Sequence, residues 1–510
     1  MKVVIIGGYG VFGSLIARLL RRDGHAIWLA GRTPEKSRAR ARTLDVLAIE
    51  ENVEVSPNAV FDPNPDLVID AAGPFQDYGS DGYRIPRMCI EAKCHYLDLS
   101  DAPQFTKGMS QLDAAAQAAG VFVLSGASSV PGLSSCIAVE LGDGFDTIEL
   151  VDTVILPGNR APRGRSVIES ITSGVGRPFK VLRGGKWRST AGWTDKRAYR
   201  LDKALKRSAY AVDVPDLELL PQKIAAQSVT FRAGLELGIM NAALALLARV
   251  RRVARLELSS GTISILHAIS KALFPFGSDR GGMQVSVVGV INGAPVLRRW
   301  TLIAEHGDGP FVPGLICRAI ARQADRVRPG ARPCLAELSR RAVEDTMSDL
   351  AITTEVTTQE HPTLFQMALG DRWEKLPRQV RVLHSVQDLG SFSGKAVVTR
   401  GSSWLARAAA WCFGFPQENT DADVTLTKTR VGDGEIWERN FDGCVFRSHL
   451  SPAPAAYRYR ERFGPFNFEQ DLPVIESSLH LPVRRGWFLG IPLPGFLLPT
   501  SESREYVENG

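Results

Sequence analysis

The residues best suited to chemistry stand at the start of the chain. In Gly7-Gly8-Tyr9-Gly10-Val11-Phe12-Gly13 the glycines keep the spacing Gly-x-Gly-x-x-Gly. The first of the three permits a tight turn, the second lets the backbone approach a pyrophosphate, and the third lets a helix pack closely on a strand. The phosphate then sits at the helix N-terminus. This is dinucleotide-binding chemistry, and Gly8, Tyr9, Gly10, Val11, Phe12 and Gly13 are the expected contacts. Where an acidic residue would bond the ribose 2′-hydroxyl of NAD, the chain has Gly31-Arg32-Thr33. An arginine there suits a 2′-phosphate, so Arg32 and Thr33 point to NADP as the cofactor. Hydride chemistry asks for at most one proton donor from the protein. Tyr96 and Asp98 are candidates, although a packed Tyr96 and a turn-capping Asp98 fit the sequence as well, and the catalytic residue stays open. No metal site is expected, because the seven cysteines include no Cys-x-x-Cys pair and no histidines fall at zinc-finger spacing.

The elements that must position these residues alternate regularly. Lys2–Ile6 reads as a strand buried on both faces, Ser14–Arg22 keeps helical apolar spacing, and Ala26–Ala30 returns as a strand. Further strands are expected at 66–72, 95–99 and 121–124, with helices near 83–92 and 105–119 between them. In the strand at 95–99, alternation sets Tyr96 and Asp98 on the face opposite His95. Such a βαβα order over residues 1–127 means a parallel, doubly wound sheet.

Four stretches together resemble the saccharopine dehydrogenase-like family of NAD(P)-binding oxidoreductases: Gly7–Gly13; Asp70-Ala71-Ala72-Gly73-Pro74-Phe75; Cys94-His95-Tyr96-Leu97-Asp98-Leu99-Ser100; and Ser125-Gly126-Ala127 with Val130-Pro131-Gly132-Leu133. The resemblance covers about the first 140 residues and implies that Ala72, Gly73, Pro74 and Phe75 lie beside the nicotinamide half of the cofactor. It implies hydride transfer to a C=N, C=C or C=O group without fixing the substrate.

Beyond residue 145 the alternation stops. Strands and helices mix, with a hairpin pairing 283–291 and 295–304 across Asn292-Gly293, a dipeptide that accepts positive φ at both turn positions. A helix over 314–325 is expected to fold back onto the nucleotide domain. Arg328-Pro329-Gly330 and the Thr-rich run 353–358 read as linker. After it come aromatic, turn-rich strands with Trp404, Trp411, Phe413, Phe415, Trp437 and Trp487. There Trp437-Glu438-Arg439-Asn440-Phe441 and Leu489-Gly490-Ile491-Pro492-Leu493-Pro494 resemble an uncharacterised bacterial domain, which implies further strands after Tyr506-Val507-Glu508-Asn509-Gly510. The fold class expected is α/β: an N-terminal Rossmann doubly wound parallel sheet (1–140), an α+β middle domain for substrate or dimerisation (141–330), a linker (331–360) and a β-rich aromatic C-terminal domain (361–510).

The composition, 510 residues with 44% hydrophobic and 23% charged, excludes a disordered, collagen-like or disulfide-scaffold chain. Met1–Ile6 runs directly into glycines, so no signal peptide is read and a cytoplasmic location is expected. The run 237–248 is too short to span a bilayer, yet it could touch one. Residues 157–210 carry 14 Lys/Arg, among them Arg160, Arg163, Arg165, Lys186, Arg197 and Arg207, against Glu169, Asp195 and Asp202. This segment is either a solvated surface or a patch for an anionic partner. The partners expected are a small-molecule, lipid-like substrate, a peripheral membrane contact and a second copy in a homodimer. Nucleic acid is not among them. An NADP-dependent reductase of an apolar substrate is the leading reading, beside a non-catalytic nucleotide-binding partner protein and a membrane-associated lipid-binding protein.

Overall fold

The computed structural model describes residues 1–75, 78, 81–162, 165–254, 267–387, 390–399, 404, 407, 410–411, 415–498 and 503–507. Arg163, Cys412, Phe413 and 508–510 fall outside the described residues, as does the side chain of Arg165.

The first sheet is parallel throughout. Its strands are β1 (Lys2–Ile6), β2 (Ala26–Gly31), β3 (Leu47–Asn52), β4 (Leu67–Asp70), β5 (His95–Asp98) and β6 (Phe122–Ser125), with Gly330–Pro333 added at the far edge. The order is Gly330–Pro333, β6, β5, β4, β1, β2, β3, each pair parallel. Val3, Val4 and Ile5 are buried on both faces, as the β-branched run requires. β3 and the helix Pro34–Leu44 before it carry no apolar period, which is why the sequence reading passed from β2 to β4. The helix buries only Ser37 and Ala41, and β3 is an acidic edge strand with one buried residue, Ile49.

The second sheet is mixed. Its order is Arg197–Arg200, Lys206–Ala211, Ala226–Ala233, Thr147–Leu156, Gly281–Ile291, Ala294–Ala304, Ile352–Glu360. The hairpin closes at Asn292 and Gly293, whose φ values of 50° and 78° are those of the turn read from Asn-Gly.

The stretch 331–360, read as a linker, takes part in both sheets. Gly330–Pro333 pairs with β6, and Ile352–Glu360 pairs along its whole length with Val296–Ala304. Its threonines are the β-branched residues of an edge strand. Helix Leu315–Arg322 returns to the first domain as expected: a Cβ on Gly314 would stand 2.8 Å from Ile16 Cγ1. The Arg318 guanidinium, almost fully buried, donates to both oxygens of Asp23 at 2.9 and 2.8 Å and to the Thr346 carbonyl at 2.8 Å.

The third unit is an antiparallel sheet of eight strands, 391–398, 419–431, 434–441, 444–452, 458–463, 466–471, 483–488 and 491–492. Its core packs Phe365, Leu369, Trp437, Tyr459 and Leu472. No helix among the described residues is long and apolar enough to cross a membrane.

Candidate functional site

The glycine turn has the shape its spacing implies, with one correction. The residue that needs positive φ, at 72°, is Gly7 and not Gly8. A Cβ on Gly7 would stand 2.7 Å from the Ala72 backbone, and one on Gly8 2.8 Å from Leu29. On Gly13 it would lie 2.4 Å from the Gly7 carbonyl oxygen, the close helix-on-strand approach assigned to the third glycine. Gly10 differs from these: a Cβ there would meet only the Gly7 carbonyl oxygen, at 3.0 Å, so its side-chain direction faces open space. Helix Val11–Arg22 starts at Gly10 with no side-chain cap and no acidic residue in its first turn. Its first amides and the positive end of its dipole are left to an anion.

At the end of β2, Arg32 is exposed and Thr33 half-buried. Thr33 precedes helix Pro34–Leu44 without spending its hydroxyl on a cap. Gly31 leaves room for the Tyr9 ring, which occupies the place a Cβ would take. The residues therefore fit a dinucleotide with a charged group on its adenosine ribose.

The carboxyl ends of β4 and β5 carry two buried aspartates, paired in register. Asp70 accepts from the Ala72 amide at 2.9 Å and from the Tyr78 hydroxyl at 3.1 Å, and so shapes the Ala72–Phe75 loop. Asp98 Oδ1 accepts from the Ser100 amide (2.9 Å), the Ser125 hydroxyl (2.9 Å) and the Gly126 amide (2.8 Å). Its Oδ2 is buried without a hydrogen-bond partner. Burial raises the Asp70 pKa to about 6. Burial, with Asp70 adding to it, raises Asp98 to about 7. Each carboxyl thus holds its proton toward neutrality. Tyr96 is fully buried, its phenol pushed far up by burial and by Asp98.

Beyond these strand ends a cavity of about 350 Å³ opens between the first and second sheets. Phe12, Gly73, Pro74 and Phe75, all expected from the sequence, line it on one side. Leu99, Asp101 and Ser128–Val130, from the loops after β5 and β6, extend that wall. Ile155, Met283 and Leu302 of the second sheet, with Leu235 just past the strand Ala226–Ala233 and with Pro310 and Pro313, form the other wall. Tyr96 and Asp98 are not part of it, nor is any described residue of the aromatic third unit. Asp101, three residues past β5, is the carboxylate that opens on the cavity from the nucleotide side. It accepts from the Ser170 hydroxyl at 2.8 Å; it is solvent-exposed, and partial desolvation by the surrounding protein raises its pKa. It also lines a second cavity, of about 670 Å³, that shares Val130, Ser170 and Ile171 with the first. Asp101 was missed in the sequence, where the one usable signal was its place just past the carboxyl end of a parallel strand.

The basic run 157–210 is partly spent on structure. Arg183 pairs with Asp195, Arg207 with Glu236 at 3.0 Å, and Arg188 donates to Ser391 of the third unit at 2.7 Å.

Residues 3–124 match the model of the saccharopine dehydrogenase NADP binding domain. The N-terminal unit is an NADP-binding domain of the saccharopine dehydrogenase type. A domain of this type takes NADP as its cofactor and supports an oxidoreductase. Residues 376–510 match a domain of unknown function, DUF4166. Among solved structures, saccharopine dehydrogenase (L-Glu forming) from Saccharomyces cerevisiae is 13% identical, covers 70% of this chain and 99% of its own, and superposes with a TM-score of 0.51. That likeness shows the shared fold. A probable dehydrogenase from Thermotoga maritima is 11% identical over 70% of this chain and 98% of its own, at a TM-score of 0.35, too loose to bear on the fold. No curated protein matches the chain.

Proposed function

We propose that this protein is an NADPH-dependent reductase whose apolar substrate, carrying a C=N, C=C or C=O group, occupies the cavity of about 350 Å³ between the first two sheets. The observation that carries the reading is the composition of that cavity. The residues expected beside a nicotinamide form one wall and aliphatic side chains of the second sheet form the other, at the switch-point edge where such sheets take their ligands. Bound NADPH would supply the hydride. In this reading Gly8–Gly13 hold the pyrophosphate, Arg32 and Thr33 the 2′-phosphate, and Ala72–Phe75 the nicotinamide edge. Asp101 holds the proton given to the reduced group, its raised pKa keeping that proton available nearer neutrality. Asp98 keeps the loops after β5 and β6 in place through its three accepted bonds.

A saccharopine-type imine, with several carboxylates, would need convergent arginines, and no arginine among the described residues lines this cavity. The test is NADPH consumption, followed by absorbance, against aliphatic enones, ketones and imines and against saccharopine-type imines. Turnover of the apolar compounds is expected. Turnover confined to the charged imines would overturn the substrate assignment, and NADPH binding with no turnover of any compound would favour a non-catalytic partner protein.

A further inference from the structure

Helix Gly238–Ala254 is apolar on two faces. One face carries Leu244 and Ala248 and packs on Val175, Trp193 and Tyr210, with Asn241 and Arg251 buried on the same stripe. The opposite face carries Ile239, Leu246, Val250 and Val253, which are 72%, 63%, 42% and 88% exposed. Their spacing of seven, four and three residues keeps them in one line on the outside, where a helix in water normally turns polar side chains. Phe274 and Phe276, in the segment tied through Asn159 to Glu236 just before this helix, are 46% and 64% exposed.

This surface adjoins the rim of the apolar cavity. The Asn159 side chain donates to the carbonyls of Leu273 and Phe276 at 2.7 and 2.5 Å, and its amide donates to Glu236 at 2.6 Å. Gly158, Leu235 and Asp279, the neighbours of these residues, line the cavity.

Charge identifies the occupant. The helix contains no acidic residue, and Arg249 and Arg252 are exposed at its C-terminal end. A second copy docking face to face would bring these arginines toward their own kind with no carboxylate on the helix to meet them. An anionic surface meets both the arginines and the apolar line. At 17 residues the helix is about 25 Å long, short of a bilayer's hydrocarbon core, and its inner face is already packed. It can only lie in the plane of an interface.

We propose that Gly238–Ala254, with Phe274 and Phe276, docks this protein on the surface of an anionic phospholipid bilayer. Docking sets the cavity rim against the lipid, from which an apolar substrate can enter. The entry route rests on the cavity reading above, whereas the docking does not.

The experiment sediments the full chain with vesicles of phosphatidylcholine, alone or mixed with phosphatidylglycerol. The wild type is expected to sediment with the mixed vesicles and to be released by salt. Leu246→Glu with Val253→Glu should lower the bound fraction about tenfold or more, with NADPH binding unchanged as proof of folding. Should that variant lose NADPH binding, Arg249→Glu with Arg252→Glu decides, and it should lower binding to the mixed vesicles several-fold. No sedimentation of the wild type overturns the proposal. So does equal sedimentation of the variants, or a wild-type dimer that the Leu246→Glu, Val253→Glu change converts to monomer. NADPH turnover of apolar compounds without vesicle binding would leave the reductase reading standing and remove this one.

Discussion

Replacing Asp98 by Asn separates a group that orders loops from one that handles a proton. Asn keeps a carbonyl oxygen where Oδ1 accepts from Ser100, Ser125 and Gly126. It places an amide where Oδ2 is buried without a partner. In the unfolded chain the Asp98 carboxyl ionises near 3.8, whereas burial raises it to about 7 in the fold. The folded state therefore keeps a proton that the unfolded state releases, and stability drains away as pH rises through that interval. At about 1.4 kcal/mol for each pH unit, the loss reaches roughly 4–5 kcal/mol by about pH 8, an upper limit because relaxation relieves buried charge. The variant removes this loss, so it should unfold at higher urea than the wild type at about pH 8, while the two should lie close together at about pH 4. Urea midpoints at both pH values, with NADPH turnover at neutral pH, form the assay. Turnover within a few-fold of wild type is expected. A loss of a hundredfold or more in a folded variant, or a variant less stable than wild type at the higher pH, would refute the account of Asp98 as a neutral, loop-holding group.

Arg32→Asp should weaken NADPH by about 1.5–3 kcal/mol and barely change NADH, as titration of both cofactors would show; equal wild-type affinities for the two would refute the 2′-phosphate assignment. Gly10→Val should still fold, with a melting temperature lowered by the 3.0 Å approach of its Cβ to the Gly7 carbonyl oxygen, and should bind no dinucleotide. Asp101→Asn should leave NADPH affinity unchanged and cut turnover by about 10²–10⁴. The wild-type rate should fall as pH rises through the raised Asp101 pKa, and in the variant that limb should vanish.

The local features of the nucleotide domain were legible because each is set by its own few residues. The β-branched run Lys2–Ile6 can only be buried on both faces, the glycines at 8, 10 and 13 leave no side chain where backbone or phosphate must come close, and Asn292-Gly293 accepts the φ values its hairpin needs. Edge elements were harder to read. Pro34–Leu44 and β3 are polar because a sheet edge buries little, and Ile352–Glu360 is a strand only because Ala294–Ala304 supplies hydrogen bonds along its whole length. The parallel partner of β6, Gly330–Pro333, arrives from more than 200 residues away, beyond the reach of any local pattern.

The site divides along the same line. Phe12 could be placed from the glycine motif, and Gly73, Pro74 and Phe75 from what the family resemblance implies, at the edge where the carboxyl ends of the parallel strands converge. Asp101 gained a candidate role, and Tyr96 and Asp98 fell away from the cavity, only when the second sheet closed over that edge and decided which carboxylates face a ligand and which are sealed beneath it. The same closure turned the apolar run 237–248 from an ambiguous stretch into a helix with one face buried and one exposed. Periodicity shows that such a helix has two apolar faces, but the neighbours that cover just one of them come from distant parts of the chain.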